Sequence, residues 1–324
     1  MRRVRYHEYG DPEVLTVEEA DVPTPGPGQV LIRCEAIGAN FVDTRFRRGP
    51  AAGPLFRRPL PGMLTGDVVG RVEALGPGVS GPPVGARVAA LAEDAFADFV
   101  LADAEWAVVV PDGLDAGVAS ALPLAAPVAL RAVRTGRLAP GETVLVHAAA
   151  GGIGHLVVQL AELLGAGTVV ATVGSAAKFD FVRAYGADFA VDYSAADWPE
   201  RVREVVPGGV DVVLDSVGGE ILRRGFDVVA PFGRVVVYGA ASGDVSGIAL
   251  TDLFALRSVA GFSLLAWRAA APERAREEVA ELTEHLASGR LRVAVHTTLP
   301  LTEAVQAHRL LEERTQRGRI LLVP

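Results

Sequence analysis

The sequence predicts an α/β protein in two parts, a doubly wound parallel sheet and a smaller domain of short strands. Three observations carry this. The run Thr143 to Gly165 reads as a β-branched strand, an Ala/Gly-rich turn and an apolar helix. After it, continuous apolar strands alternate with helices, the pattern of a parallel sheet covered on both faces. Before it, from Tyr6 to about Val110, short strands are punctuated by Pro and Gly, the pattern of a small closed or partly closed barrel.

The elements follow in order. In the first region Gln29–Ile37 is a strand behind the rigid turn Asp21-Val-Pro-Thr-Pro-Gly-Pro-Gly28. Gly70–Leu75, Gly85–Ala90 and Phe96–Leu101 continue the series. In the sheet region Thr143–His147 is the first strand and Ile153–Leu164 its helix, with Gly165 as stop. Val169–Val173, Phe189–Asp192, Val210–Asp215, Arg234–Tyr238 and Ser258–Phe262 are further strands. Ala176–Tyr185, Asp197–Val206 and Gly219–Val229 are the helices between them. Near the end, Pro272–Ser288 and Thr302–Glu312 are amphipathic helices, and Arg319–Val323 is a final strand.

The turn after the first long apolar strand has the spacing Ala149-x-Gly151-x-x-Gly154, the dinucleotide fingerprint with Ala in first place. Gly151 lets the backbone approach a pyrophosphate. Gly154 lets the helix pack closely on the strand. The helix start offers N–H groups and partial positive charge to phosphates, with Gly152 and Ile153 in the same turn. A tight turn without a ligand is the bland alternative.

The end of the second strand bears on which dinucleotide fits. A site preferring the unphosphorylated form places a carboxylate there to hold the ribose hydroxyls. Here the chain reads Thr172-Val-Gly174-Ser175-Ala-Ala-Lys178, with no acid. Ser175 and Lys178 suit a 2′-phosphate, which points to NADPH. Lys178 as an ordinary solvated helix residue is the competing view.

Composition excludes several classes. The 324 residues carry 31 Lys and Arg against 39 Asp and Glu, a net charge of −8, with no basic block. Nucleic acid and anionic membrane are therefore not expected partners. No long apolar run lacks charge, and the start shows no apolar signal core, so a cytoplasmic setting is expected. The single cysteine, Cys34, rules out an intrachain disulfide and reads as buried strand filler. The six histidines show no metal-ligand spacing, so no metal is expected.

Taken together, several motifs resemble the zinc-free medium-chain dehydrogenase/reductases of the quinone oxidoreductase, zeta-crystallin-like type. They are Gly10-Asp-Pro-Glu-Val-Leu15, Gly38-Ala-Asn-Phe-Val-Asp-Thr44, Leu122-Pro-Leu124, His147-Ala-Ala-Ala-Gly-Gly-Ile-Gly154, Asp215-Ser-Val-Gly218 and Gly318-Arg-Ile-Leu-Leu-Val-Pro324. The resemblance implies a GroES-like β-barrel catalytic domain over 1–122 and a Rossmann NADPH-binding domain over 123–262. Residues 263–324 would complete the catalytic domain. It also implies an active cleft between domains and a homodimer, to which Arg234–Leu250 would contribute sheet edge and loop surface. Zinc-bearing relatives use a Cys and a Gly-His-Glu motif where this chain has Asn40 and Thr65-Gly66-Asp67.

The same resemblance places Asn40 near the nicotinamide and makes Asp43 the holder of a cleft-shaping loop. The alternatives are a turn Asn and a helix N-cap Asp. Tyr193 would pack on the adenosine, or be a strand-end aromatic. Ser216 and Val217 would pass close to the cofactor, and Tyr238, Gly239 and Ala240 would contact the nicotinamide. Arg319 would reach a phosphate or be an ordinary surface residue. The chain departs from many relatives at Arg45, where they carry a nearby Tyr, and at Val128 in place of a Thr. Arg45, Arg47, Arg48, Arg57 and Arg58 form a basic segment that either holds an acidic substrate or is solvated. The expected reaction is hydride transfer from NADPH to a quinone or other conjugated carbonyl acceptor. An enoyl or enone reductase tailoring a polyketide or other secondary metabolite, and a non-catalytic crystallin-like NADPH binder, are the alternatives.

Overall fold

A computed structural model describes residues 1–53, 56–245 and 247–324. Pro54 and Leu55 of the basic segment, and Ser246 of the expected dimer segment, lie outside the described residues. The chain divides into two compact units, residues 1–125 with 279–324, and residues 126–278.

The first unit begins with an antiparallel hairpin of β1 (Arg2–Tyr6) and β2 (Leu15–Glu19). Next come β3 (Gln29–Ala39), β4 (Gly66–Leu75), β5 (Arg87–Ala92), β6 (Phe99–Asp103) and the short β7 (Val108–Val109). β3 organises them. One edge pairs with β4 from Val30 to Ala39, and register shifts at Leu31/Ile32 and Cys34/Ala36 bend the ladder. The other edge takes β6 along Gln29–Arg33 only. The inward side chains Ile32, Ile37, Val68, Val72, Val88, Phe96 and Val100 form one core. Cys34 is buried in it, and burial pushes its thiol well above the ordinary range, the signature of an inert filler. The helix Phe41–Arg48 follows β3 directly, with Asn40 at its N-cap.

The second unit holds β8 (Thr143–Val146), β9 (Thr168–Val173), β10 (Phe189–Asp192), β11 (Val210–Asp215), β12 (Val229–Val237) and β13 (Ser258–Gly261). Their spatial order is β10-β9-β8-β11-β12-β13, and every pairing is parallel. This is the doubly wound order of dinucleotide folds, with its switch point between β8 and its neighbour β11. Val144, Leu145 and Val146 are all fully buried, as are Val213 and Leu214, because helices cover both faces.

The helices fall close to expectation. Gly154–Leu163 is one residue shorter at each end, and Ala176–Tyr185 opens as a 3₁₀ turn before Phe179–Ala184. Ala125–Thr135 is an unexpected helix. Its Pro127 masks it in the sequence, yet lies in the first turn, where a missing N–H loses no helical bond.

Two expectations about boundaries change. β12 is not an edge: it lies between β11 and β13, and β13 is the outer strand. Arg234 on β12 donates to the Gly136 carbonyl and to Glu142. Residues 263–278 group with the second unit rather than the first. The reason is Glu278, buried and bonded to Arg131, Arg134 and Trp267, with Arg131 stacked 3.9 Å from the Trp267 ring centroid.

The chain returns to the first unit with β14 (Val295–Pro300) and β15 (Arg319–Val323). β15 takes the free edge of β3, antiparallel, with Leu321 opposite Gly38. β14 pairs parallel to β15 and is an exposed, polar edge strand, so no apolar alternation announces it. The helix Ala304–Glu313 lays Ala304, Ala307 and Leu311 into the core.

Candidate functional site

In the second unit the candidate residues gather at the carboxyl ends of the parallel strands, where ligands of such sheets bind. The fingerprint turn is held from below. Ala149 donates its N–H to the Thr172 carbonyl at 3.0 Å, and Gly151 donates to Ala148 at 3.0 Å. Ala148 itself sits at φ 51. A Cβ on Gly154 would lie 2.3 Å from the Ala148 oxygen, so only glycine lets the helix approach the turn this closely. Gly151, Gly152 and Ile153 are half-buried at the mouth of the turn, ahead of a ten-residue helix in which the N–H groups of His155 and Leu156 already bond the Gly151 and Ile153 carbonyls.

Thr172 and His147, neither expected as site residues, brace this turn. His147 is fully buried and its Nδ1 lies 2.7 Å from the Thr172 hydroxyl. Burial pushes its pKa down to about 3, so the imidazole is neutral. The available signal was a polar residue ending an otherwise apolar strand just before the fingerprint.

At the end of β9, Gly174 and Ser175 are exposed and Lys178 is half-buried. The Ser175 Oγ accepts from the Ala177 N–H and caps the 3₁₀ turn. The Tyr193 ring lies in van der Waals reach of Gly174, 3.5 Å from a Cβ built there. The structure therefore brings Gly174, Ser175, Lys178 and Tyr193 together, and no carboxylate stands on the segment 174–178. This charge pattern fits a 2′-phosphate.

The remaining strand ends interlock. Asp215 is buried, and its Oδ1 accepts from the N–H groups of Val217 and Gly218. Burial raises its pKa to about 7, against those two bonds. Tyr238 donates its N–H to the Asp215 carbonyl, and Ala241 to that of Ser216. Gly239 passes so close that a Cβ would lie 2.9 Å from the Ser216 oxygen. Ser216, Val217, Tyr238, Gly239 and Ala240 thus form one clamped ledge, Val217 buried and the others half-buried.

The first unit holds Asn40 and Asp43. The Asn40 backbone caps its helix while its side chain makes no capping bond, and its buried Nδ2 has no partner among the described residues. An orphan donor of this kind is available to a ligand. Asp43 is not the N-cap. It lies in the first turn, fully buried, and accepts from the Thr65 N–H at 2.7 Å and the Thr65 hydroxyl at 2.9 Å. Burial pushes its pKa up to about 7, with the Thr65 bonds pulling the other way. It ties the helix to the Thr65 loop and faces no solvent.

Arg319 is neither a phosphate ligand nor a surface residue. It is buried, donating to Asp67 at 2.6 Å and to the Ser120 hydroxyl at 3.1 Å. A Cβ on Gly38 would strike its guanidinium, so the ion pair lies against bare β3 backbone. The basic segment is also divided. Arg47 is fully buried and bonds His308, Glu312 and the Gly10 carbonyl, and Arg48 shares Glu312. The Arg58 guanidinium stacks 3.9 Å from the Phe46 ring centroid, and Arg57 is exposed. The Arg45 guanidinium lies 5.3 Å from the Phe41 centroid, and that of Arg314 lies 5.6 Å from the same ring.

Residues 26–112 match the alcohol dehydrogenase GroES-like domain, and residues 152–285 match the zinc-binding dehydrogenase family. That pairing defines the medium-chain dehydrogenase/reductase class. A 2-haloacrylate reductase from a Burkholderia species is 36% identical, over 98% of this chain and 97% of that protein. A quinone oxidoreductase of Pseudomonas aeruginosa is 36% identical over 100% of this chain and 99% of that one. The crystal structure of Escherichia coli quinone oxidoreductase complexed with NADPH superposes with a TM-score of 0.90, at 32% identity over 100% of both chains. The chain belongs to the quinone oxidoreductase family of zinc-free medium-chain dehydrogenase/reductases. In place of the zinc-bearing relatives' thiolate and imidazole it has an amide, Asn40, and the run Thr65-Gly66-Asp67, whose acid is committed to Arg319.

Proposed function

We propose that this chain is an NADPH-dependent oxidoreductase that reduces a quinone or another conjugated carbonyl acceptor without a catalytic metal. The observation that carries the reading is the row of strand ends, from the fingerprint turn to Ser175 and Lys178, built for a phosphorylated dinucleotide. When bound, NADPH supplies a hydride from its nicotinamide ring. The turn 151–154 would hold the pyrophosphate, Ser175 and Lys178 would hold the 2′-phosphate, and Tyr193 would pack on the adenosine. The ledge of Ser216, Val217, Tyr238, Gly239 and Ala240 would line the nicotinamide end. Asn40 donates its orphan amide N–H to the acceptor oxygen as negative charge builds there. A conjugated acceptor spreads that charge, so it needs no Lewis acid of the kind a simple ketone requires. Water supplies the proton that completes the reduction. Asp43 positions the Asn40 helix through Thr65.

The reading includes a homodimer closed by a second copy of this chain on the β13 edge. Phe232, Leu250, Phe254 and Leu256 are each at least 60% exposed there, and Phe232 donates its N–H to the Leu256 carbonyl. Apolar side chains beside an unpaired edge strand call for cover. A monomer by sedimentation at micromolar concentration contradicts this part. Among the described residues no helix is long and apolar enough to cross a membrane. A cytoplasmic setting suits a chain whose lone cysteine is buried and has no intrachain disulfide partner.

The deciding experiment follows NADPH oxidation against a panel of quinones, enones and enoyl thioesters, with deuterated NADPH. Reduction of quinones or enones, with deuterium on carbon in the enone product, is expected. Turnover of enoyl thioesters alone makes it a tailoring enoyl reductase. NADPH binding with no turnover makes it a crystallin-like binder. Metal analysis should find no stoichiometric zinc, and robust oxidation of simple alcohols would overturn the reaction class.

A further inference from the structure

The arginines of the helix Phe41–Arg48 do not all share one role. Arg47 and Arg48 close on Glu312, and Arg48 also lies 3.4 Å from Asp11. Arg45 instead points back along its helix to Phe41, its i−4 neighbour, one residue past Asn40. Arg314 reaches the same ring from the end of the helix Ala304–Glu313. Its left-handed backbone, φ 54, turns the chain there, and its N–H closes on the Leu311 carbonyl. The two guanidiniums repel. Arg45 is held below its ordinary range by burial first and by the charges of Arg314 and Arg48 next, against a weaker pull from Glu312. Both side chains belong to the same unit as Asn40.

We infer that Arg45 and Arg314, flanking Phe41 beside the orphan amide of Asn40, form an anion subsite that selects conjugated acceptors bearing a carboxylate. The inference rests on the reductase reading above. An anion placed between two like charges relieves their repulsion and gains charge-assisted hydrogen bonds from both. Phe41 supplies an apolar surface for the carbon chain. Arg45 and Arg314 place cations on either side of Phe41, and the consequence is selection by charge.

The test compares acetylacrylate with its methyl ester, two acceptors alike except for the charge. The intact chain should prefer the acid in kcat/KM. Arg45→Gln should lower the acid-to-ester ratio about 10- to 100-fold, chiefly through KM, and Arg314→Gln should lower it less. Raised salt should erode the preference in the intact chain. A second measurement needs no turnover: levulinate, the saturated acid, should bind by calorimetry more tightly than its ester, and Arg45→Gln should abolish the difference. A ratio unmoved by either substitution, with quinones still reduced, overturns the subsite and leaves the reductase reading standing. Levulinate binding that depends on Arg45, with no acceptor reduced, supports the subsite and overturns the reductase reading.

Discussion

In residues 126–278 each candidate site residue stands on a turn that directly follows a strand, and its partners lie on adjoining strand ends within one contiguous stretch of chain. In the other unit the opposite holds. Asn40 is aimed by a helix that is fastened by Asp43 to Thr65 at one end and by Arg47 to Glu312 and His308 at the other. The first arrangement is a set of local turns on a rigid sheet, and it gives a general grip on a dinucleotide. The second is a tie across long stretches of chain, and it holds the one donor proposed to meet the acceptor. Cofactor affinity and acceptor chemistry should therefore respond to different substitutions.

The largest effect expected is on stability. Arg319→Met strands the fully buried Asp67, and breaking such a pair costs about 3–5 kcal/mol. Denaturant melts should show this loss, while NADPH affinity measured on the folded fraction stays near that of the parent. A selective loss of NADPH affinity would restore Arg319 as a phosphate ligand. Next is Lys178→Ala, which should weaken NADPH binding by about 1–3 kcal/mol and leave NADH nearly unchanged. Equal losses for both in fluorescence titrations would remove the charge argument at the end of β9. Asn40→Ala should lower kcat about tenfold with a smaller change in KM, the mark of an interaction strongest in the transition state. Full activity in that variant would detach the first unit's site from the chemistry.

The last effect is a slope. Asp43 has a folded pKa of about 7 against an unfolded value near 3.9, so between those limits the folded state holds a proton that the unfolded chain has lost. Its contribution is fully present below about pH 4 and is lost as pH rises through 7. His147 and His308, both at about 3 when folded, act in reverse: their contribution is present above about 6.5 and is lost as pH falls through 3. Asp43→Asn removes only the first slope. Stability measured from pH 4 to 7 should then rise more steeply with pH than in the parent, and an unchanged profile would show that Asp43 is ionised when buried.

The same contrast explains what could be read from the chain. The fingerprint, the missing acid at Ser175 and Lys178, and the strand–helix alternation are short-range signals, and the structure assembles them at one end of one sheet. The direction of Arg319 was not legible, because Asp67 and Ser120 lie far from it in sequence. Neither was the division of the basic segment, which depends on Glu312 and His308 in a helix near the other end of the chain. β14 was missed because an exposed edge strand has no need of apolar alternation, and Ala125–Thr135 because Pro127 resembles a breaker. A cap at Asp43 was only the alternative that the motif offered, and the cap is Asn40, whose amide side chain makes no capping bond.

The pairing of β15 with β3 carries a consequence for biosynthesis. As the nascent chain leaves the ribosome, the parallel sheet can close from one contiguous stretch. The barrel must wait. Its longest strand keeps an open edge, Asp67 lacks its counter-ion and Arg47 lacks Glu312 until residues beyond 310 have been made. A stalled or clipped product would thus be a dinucleotide binder with an unfinished acceptor side, and its exposed β3 edge would be a target for chaperones and for self-association.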